Sequence, residues 1–470
     1  MIRDVLRDGT TYAVSAILSR GLAFLIVPLY SRLLVPGDYA ALDLIATAGV
    51  LVNLIVPLEV GQGMAREWAE APDDAARRRM AGTALAFTAC AYALFLALAL
   101  PLADALAARW IGSPAYGGAL ALGAVQMALN GLFLQLQGQF RWSRRPLAYG
   151  AVSVLQAALS LGLGVAGARW QGLQGVLAGQ ALAAGLAAAV AFVALRTEMA
   201  PVFSREALRK MLAFSLPLVP SGAASFIAFY GNRGLLSTLA GLDQVGLYAV
   251  AARIAALTTL LIVGVQGALT PLVYAHHARP GVPAQLARFF AGFVALALAL
   301  SLAVSLFAAE LVAIAQGAYA PAAALLPWLA PAALLAQMYI FAPGLGIARR
   351  TRTQLALMAL AAAASVLLNA LLIPRFGALG AAVANLGVSA LFFGSWWVAG
   401  QRLYPLPVAW PPLVAALAAY GGALALGGFT TSGPLRAALL LGFGATVWAL
   451  GLLHRQRPDD NPHRASLHSP

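Results

Sequence analysis

Apolar runs about 20 residues long recur from one end of the sequence to the other, separated by short breaks that carry arginine, glycine or proline. Coiled as a helix rising 1.5 Å per residue, such a run matches the hydrocarbon thickness of a bilayer. The runs are predicted as fourteen spans at 11–34, 40–61, 81–102, 116–137, 147–167, 173–194, 213–238, 246–270, 289–314, 321–345, 353–373, 378–399, 408–427 and 434–453. The first is too long for a signal-peptide core and contains Arg20, so it is read as a retained span. Composition agrees: 61% of residues are hydrophobic and 10% charged, well outside the soluble range. Spans on this scale consume nearly all 470 residues, which leaves no room for a sizeable water-soluble catalytic domain. The expected fold class is an all-α polytopic membrane protein.

A net charge of +14 would suggest nucleic acid in a soluble chain, but here it is first a matter of topology. With the N-terminus placed inside, the inner segments hold about 22 of the 30 basic residues, among them Arg77–Arg79, Arg144, Arg145, Arg349 and Arg350. The outer segments hold only Arg109, Arg169, Arg375 and Arg436. One missed span would invert this alternation, so both termini are expected in the cytoplasm. The arginine-, alanine- and glycine-rich composition reads as a GC-rich bacterial genome, and the bacterial inner membrane is the expected location. No nucleic-acid partner is expected. The polar tail, 454–470, is predicted to be disordered.

An internal repeat organises the spans. Arg169-Trp170-Gln171-Gly172-Leu173-Gln174-Gly175 and Arg375-Phe376-Gly377-Ala378-Leu379-Gly380 each pair an arginine with a G-x-x-G that opens an apolar helix. Gly172 and Gly377 are 205 residues apart, as are Asp38 and Asp243, and Leu42 and Leu247. Two six-helix halves are therefore expected at 1–200 and 201–400, parallel and related by a pseudo-twofold axis along the membrane normal. Two additional helices occupy 401–453, and the tail follows.

Polar groups inside spans mark the cleft between such halves. Arg20, Arg32, Arg233 and Arg253 lie within spans or at their rims. Arg20 is about 14 Å into its span, too deep for easy snorkelling, and Arg253 about 10 Å from the outer end of its own, whereas Arg32 and Arg233 sit nearer the outer rim. Among the in-span acids, Asp43, Glu59 and Glu310 are read as ion-pairing or ion-coupling groups, with a rim salt bridge between Asp43 and Arg32. Gln126, Asn130 and Gln137, at i, i+4 and i+11, form one polar face that lines the cleft or bonds across helices. There is no Walker A loop, His276 and His277 lack a carboxylate framework, and the single cysteine, Cys90, permits neither a disulfide nor a thiolate metal cage. Enzymatic chemistry, metals and cofactors are not expected.

These features resemble the multidrug/oligosaccharidyl-lipid/polysaccharide exporter superfamily, and within it the polysaccharide transporter branch that includes Wzx-type O-antigen flippases. The strings that carry the resemblance are Ser19-Arg20-Gly21 through Leu33-Leu34-Val35-Pro36-Gly37-Asp38-Tyr39, Phe214-Ser215-Leu216-Pro217-Leu218-Val219-Pro220 through Asn232-Arg233, and Val245-Gly246-Leu247-Tyr248 through Arg253. The family commonly has an acid before the second-half arginine, where this chain has Asn232. The resemblance implies that an undecaprenyl-pyrophosphate-linked oligosaccharide, an O-antigen or exopolysaccharide unit, crosses from inner to outer leaflet by alternating access. It also implies a setting in lipopolysaccharide or polysaccharide biosynthesis, with membrane lipids and polymerase machinery as partners. A drug/cation antiporter and a lipid II flippase are the alternatives. The antiporter would be expected to use a carboxylate buried in mid-span, and none lies that deep. Arg20, with Arg253, Arg233 and Arg32, is the expected pyrophosphate ligand, because guanidinium forks replace phosphate hydration through bidentate hydrogen bonds. Arg20→Ala is expected to abolish translocation while the chain still inserts; normal outer-leaflet delivery by that variant would overturn the assignment.

Overall fold

The computed structural model describes residues 15, 18, 19, 21, 22, 24–262, 265, 266, 269, 273, 276–315, 317–430 and 432–452. Among these there is no strand; the chain is a succession of helices. The first half contains α1 (Ile26–Leu33), α2 (Pro36–Ile55), α3 (Val60–Glu70), α4 (Asp74–Ala99), α5 (Ala103–Trp110), α6 (Gly117–Trp142) and α7 (Pro146–Leu195). The second contains α8 (Arg205–Ser215), α9 (Val219–Phe229), α10 (Asn232–Ala240), α11 (Leu242–Ala255), α12 (Val282–Leu306), α13 (Ala308–Val312), α14 (Leu326–Leu335), α15 (Gly344–Ile347) and α16 (Thr351–Gln401). α17 (Trp410–Gly428) and α18 (Gly433–Ala449) complete it.

Ten helical segments are long and apolar enough to cross a membrane. Two of the ten, containing α7 and α16, fold back on themselves and supply two crossings each. In α7 the break lies at Gln171 and Gly172 (φ 55°, ψ −130°), and in α16 at Gly377 (φ 56°, ψ −131°). Past the α7 turn, a methyl group on Gly175 would overlap the Gly167 carbonyl and one on Gly179 the Leu163 carbonyl, so the two limbs run antiparallel in backbone contact. α16 repeats this where Gly380 meets Leu372. Counting the shorter Gly433–Ala449 helix, the described residues supply thirteen crossings, in line with the second to fourteenth predicted spans, and α1 falls at the end of the first. Outward-facing leucines such as Leu98 and Leu367, each 60% exposed, cover flanks that only hydrocarbon solvates cheaply. The chain is a multi-pass membrane protein.

A third landmark keeps the 205-residue offset. The chain leaves α6 through Arg144 (φ 53°) and enters α16 through Arg349 (φ 52°). In each turn the following residue closes a six-residue hydrogen-bonded loop: Arg145 N–H donates to the Phe140 carbonyl (2.8 Å) and Arg350 N–H to the Leu345 carbonyl (3.0 Å). An arginine in the left-handed region costs about 1 kcal/mol or more relative to glycine.

Several predicted spans are not continuous helices. The predicted span 213–238 breaks at Tyr230-Gly231, between α9 and α10, and 321–345 is divided into 3₁₀ and α pieces around Pro321, Pro327, Pro331 and Pro343. Proline lacks the N–H that a helix interior needs, and glycine weakens helical continuity. The largest buried cluster includes Tyr30, Tyr39, Ile45, Tyr248, Ile254 and Tyr319, and draws on both halves at the end that carries the Gly172 and Gly377 turns. Separate clusters hold the first half around Phe140 and the second around Phe341, and α17 and α18 pack on α12. The tail, 454–470, lies outside the described residues.

Gly172→Ala and Gly377→Ala should each lower the thermal unfolding midpoint in detergent, because alanine reaches that backbone region only at about 1–3 kcal/mol. Gly377→Ala should be the worse, since its new methyl would also meet Gln244 Oε1, at 2.6 Å. Gly162→Ala, with no neighbour within 4 Å, should be neutral or mildly stabilising.

Candidate functional site

α2 carries one carboxylate into the contact between the halves. Asp43 is 6% exposed, about two turns into a helix whose neighbours Tyr39, Ala40, Leu44 and Ile45 are buried in the shared core. Its two oxygens are divided between two arginines of the second half. Arg233 Nε donates to Oδ2 (3.0 Å) and Arg253 Nη2 to Oδ1 (3.4 Å). The Arg233 guanidinium also lies 5.6 Å from the Tyr230 ring centre and 5.3 Å from that of Tyr248, and Arg253 lies 5.1 Å from that of Tyr39. Aromatic faces stabilise a guanidinium where water is scarce. The helix break at Tyr230-Gly231 places Arg233 at the start of α10, and the end of α11 brings Arg253 beside it.

Two cations share one anion, so the cluster keeps a net positive charge. Arg253 Nη1 is buried with no hydrogen-bond partner. Both arginines face a cavity of about 580 Å³ in the second half, with Tyr230, Tyr248, Gln337, Asn385 and Ser389 among its lining. Tyr248 OH accepts from Asn232 Nδ2 (2.6 Å) and Asn385 Nδ2 (3.2 Å), which fixes the ring that Arg233 leans on. A second cavity, of about 400 Å³, runs beside α2 in the first half. It is lined by Asn53, Glu59, Gln126, Asn130 and Gln180 among apolar side chains, and contains no arginine. Gln180 and Asn385 stand 205 residues apart, one in each cavity. The cationic cavity suits an anion, and the amide-lined one suits hydroxyl groups.

The residues singled out in the sequence are distributed as follows. Arg233 and Arg253 meet at Asp43 on the cationic cavity; Gln126, Asn130 and Glu59 meet on the amide-lined one. Arg20 lies outside the described residues. The Asp43–Arg32 bridge does not form: Arg32 is exposed and reaches the Ile314 carbonyl (3.5 Å), while Asp43 points inward to the second half. Glu310 pairs with Arg436 (2.8 Å), tying α13 to α18. Gln137 donates to Ser153 Oγ (2.6 Å) and holds α6 to α7 instead of lining either cavity. Glu59 has left-handed backbone (φ 54°), as does Leu58 before it (φ 49°), and its carboxylate makes no ion pair or side-chain hydrogen bond among the described residues. Tyr39, Tyr230 and Tyr248 were not anticipated as partners of the arginines, although Tyr230-Gly231-Asn232-Arg233 placed one of them beside its cation in sequence.

A family model described as "Polysaccharide biosynthesis protein" matches residues 5–275, more than half of the chain. No curated protein matches the sequence. Among solved structures, the fold is similar to the lipid II flippase MurJ in an inward closed conformation, with a TM-score of 0.74, 10% identity, and 94% of this chain and 97% of that one covered. It is similar to an inward-facing multidrug resistance MATE family transporter of the MOP superfamily, with a TM-score of 0.61, 18% identity, and coverage of 84% and 94%. It is also similar to a point mutant of the Vibrio cholerae MATE transporter VcmN, with a TM-score of 0.56, 14% identity, and coverage of 85% and 96%. At these identities the likeness concerns the fold.

Asp43→Asn should destabilise the protein by about 2–3 kcal/mol, because it strands two partly buried guanidiniums. A double-mutant cycle read by thermal unfolding should give stronger coupling of Asp43 to Arg233 than to Arg253, whose contact is longer and whose side chain is more exposed (24% against 13%). Equal or absent coupling would remove this ion cluster as the link between the halves.

Proposed function

The chain belongs to the polysaccharide biosynthesis protein family, and from that premise we propose that it moves an undecaprenyl-pyrophosphate-linked oligosaccharide from the inner to the outer leaflet of the bacterial inner membrane. The observation that carries this reading is the pair of arginines that share one carboxylate across the contact between the halves and face a cavity of the second half. A lipid pyrophosphate is a compact multiple anion that loses its hydration in leaving the headgroup layer. Two guanidiniums with spare donors replace that hydration by charge-assisted hydrogen bonds. The neutral, amide-lined cavity beside α2 takes the sugar hydroxyls, and the prenyl chain stays in lipid.

The same geometry suggests how loading drives the conformational change. Asp43 belongs to the first half, and both arginines belong to the second. Phosphate oxygens arriving at Arg233 and Arg253 compete with Asp43 for the same donors. Each donor transferred to the substrate loosens the bond between the halves at the end where they meet. With both termini placed in the cytoplasm, that end faces outward, so the loaded protein opens to the outer leaflet. Binding energy is thereby converted into a shift between two states, as any ligand-driven transition requires. No bond in the substrate is made or broken. O-antigen and exopolysaccharide units both fit this chemistry, as does service to a polymerase on the outer side.

One observation favours a second reading. Glu59, on the amide-lined cavity and without an ion pair among the described residues, is a carboxylate of the kind a drug/cation antiporter would use. Proteoliposomes holding a fluorescent polyprenyl-pyrophosphate oligosaccharide separate the two readings. The wild-type protein is expected to expose the label to an outside quencher, and Arg253→Ala and Arg233→Ala to slow that exposure by about 100-fold each, as loss of a charge-assisted contact implies. No acceleration by the wild-type protein, with proton-coupled efflux of an organic cation that Glu59→Gln abolishes, would replace the flippase by the antiporter.

A further inference from the structure

A second basic pocket, sharing no lining residue with the central cavity, lies where α3, the start of α4, the end of α6 with the turn after it, and Glu198 beyond α7 converge. Its volume is about 810 Å³, and Trp68, Arg77, Arg78, Trp142, Arg144 and Arg145 are among its lining, with Asp74 and Glu198. Arginines placed only to orient a membrane protein need no concave arrangement, and these four come from two separate elements. Two of them are ion-paired. Arg145 Nη1 bonds Glu198 Oε1 (2.7 Å), whose other oxygen accepts from Ser143 Oγ (3.0 Å). Arg77 Nη1 bonds Asp74 Oδ1 (2.9 Å), with its guanidinium 6.0 Å from the Trp68 ring centre. The other two, Arg78 and Arg144, make no side-chain ion pair or hydrogen bond among the described residues. Four guanidiniums against two carboxylates leave a surplus of two positive charges. Arg77 Nε is also buried without a hydrogen-bond partner, a donor left unanswered in a polar pocket.

The repeat isolates what is special here. The Arg144 turn recurs at Arg349 with the same left-handed backbone, so the backbone geometry belongs to the fold. The second pair of arginines does not recur at this offset, because the positions 205 residues beyond Arg77 and Arg78 are Val282 and Pro283. The first half thus joins the shared turn to a second pair of arginines, and the second half does not.

We propose that this pocket is an anion site for a pyrophosphate group, on the side of the membrane where substrate is loaded, distinct from the Asp43–Arg233–Arg253 cluster. Its role as a loading site rests on the flippase reading above; its affinity for pyrophosphate does not. The unpaired Arg78 and Arg144 grip the anion, the ion-paired Arg77 and Arg145 hold the rim, and the tryptophans anchor that rim at headgroup level. A lipid-linked substrate captured here would be concentrated at the mouth before it reaches the central cavity. Excess positive charge at a cleft raises the local concentration of an anion in this way.

Calorimetric titration of the full-length protein in detergent with inorganic pyrophosphate tests the site. The wild-type chain is expected to bind two pyrophosphates. Asp43→Asn/Arg233→Gln/Arg253→Gln, which removes the central charges together and strands none of them, is expected to bind one. In that background, Arg78→Gln with Arg144→Gly should weaken the remaining site by about tenfold or more. Arg144→Gly relaxes the left-handed backbone, so a lost site with an unchanged unfolding midpoint cannot be ascribed to misfolding. Arg349→Gly makes the same backbone change outside this pocket and should leave binding unchanged. The proposal is overturned if the triple variant binds no pyrophosphate, if Arg78→Gln/Arg144→Gly leaves its affinity intact, or if Arg349→Gly weakens it equally. A triple variant that still binds two pyrophosphates would instead remove the central cluster from the flippase reading and leave this site standing. In nanodiscs, phosphatidylglycerol at membrane concentration should not displace pyrophosphate; full displacement would make the pocket a phospholipid seat and overturn the assignment.

Discussion

One carboxylate carries the contact between the two halves of this protein. Asp43 stands buried on α2 and binds Arg233 and Arg253, 190 and 210 residues further along the chain. In a low-dielectric setting neither charge type is tolerated alone, so the cluster forms only when both halves are in place. It is also unbalanced, with two cations to one anion, and the surplus is directed at a cavity. A fully neutralised cluster would lock the halves and attract nothing. An unpaired arginine pair would repel itself and hold nothing together. The observed ratio joins the halves while leaving the joint open to competition from an anion.

The chemistry around the joint is divided between the halves. The second half supplies arginines, tyrosines and amides; the first supplies amides and Glu59 beside α2. On the proposed function, a substrate with an anionic head and a neutral, hydroxyl-rich body would meet matching groups on either side of Asp43. The repeat explains how this division arises on a symmetric frame. The Gly172 and Gly377 turns have the same backbone angles, and so do the Arg144 and Arg349 turns. Gln180 and Asn385 hold equivalent places. Symmetry fixes the backbone, and departures from it in side chains make the two cavities different.

Much of the frame was legible beforehand. The fourteen spans, the 205-residue repeat and the turn at each G-x-x-G are all written in local sequence, because bilayer thickness and glycine's backbone freedom act on a few residues at a time. The partners of the charged residues were not. Asp43 and Arg32 lie at similar depth on neighbouring spans, yet the helix face that carries Asp43 turns toward the second half and away from Arg32. Gln137 shares a helical face with Gln126 and Asn130, yet further along α6 that face meets α7 and Ser153. The break at Tyr230-Gly231 was read as the interior of a span, and it is this break that sets the position of Arg233.

The sequence by itself determined that this chain lives in a membrane, how often it crosses, and that it is built twice over with two helices added. These follow from transfer free energy and backbone sterics, which sum over neighbours in the chain. Only the tertiary structure decided which acid answers which arginine, where the surplus charge points, and that Arg77, Arg78, Arg144 and Arg145 line one pocket. Those outcomes depend on helix rotation, kinks and the packing of segments far apart in sequence. Electrostatic pairing in a poorly solvated interior is settled by distances of a few ångströms, and no spacing along the chain specifies them.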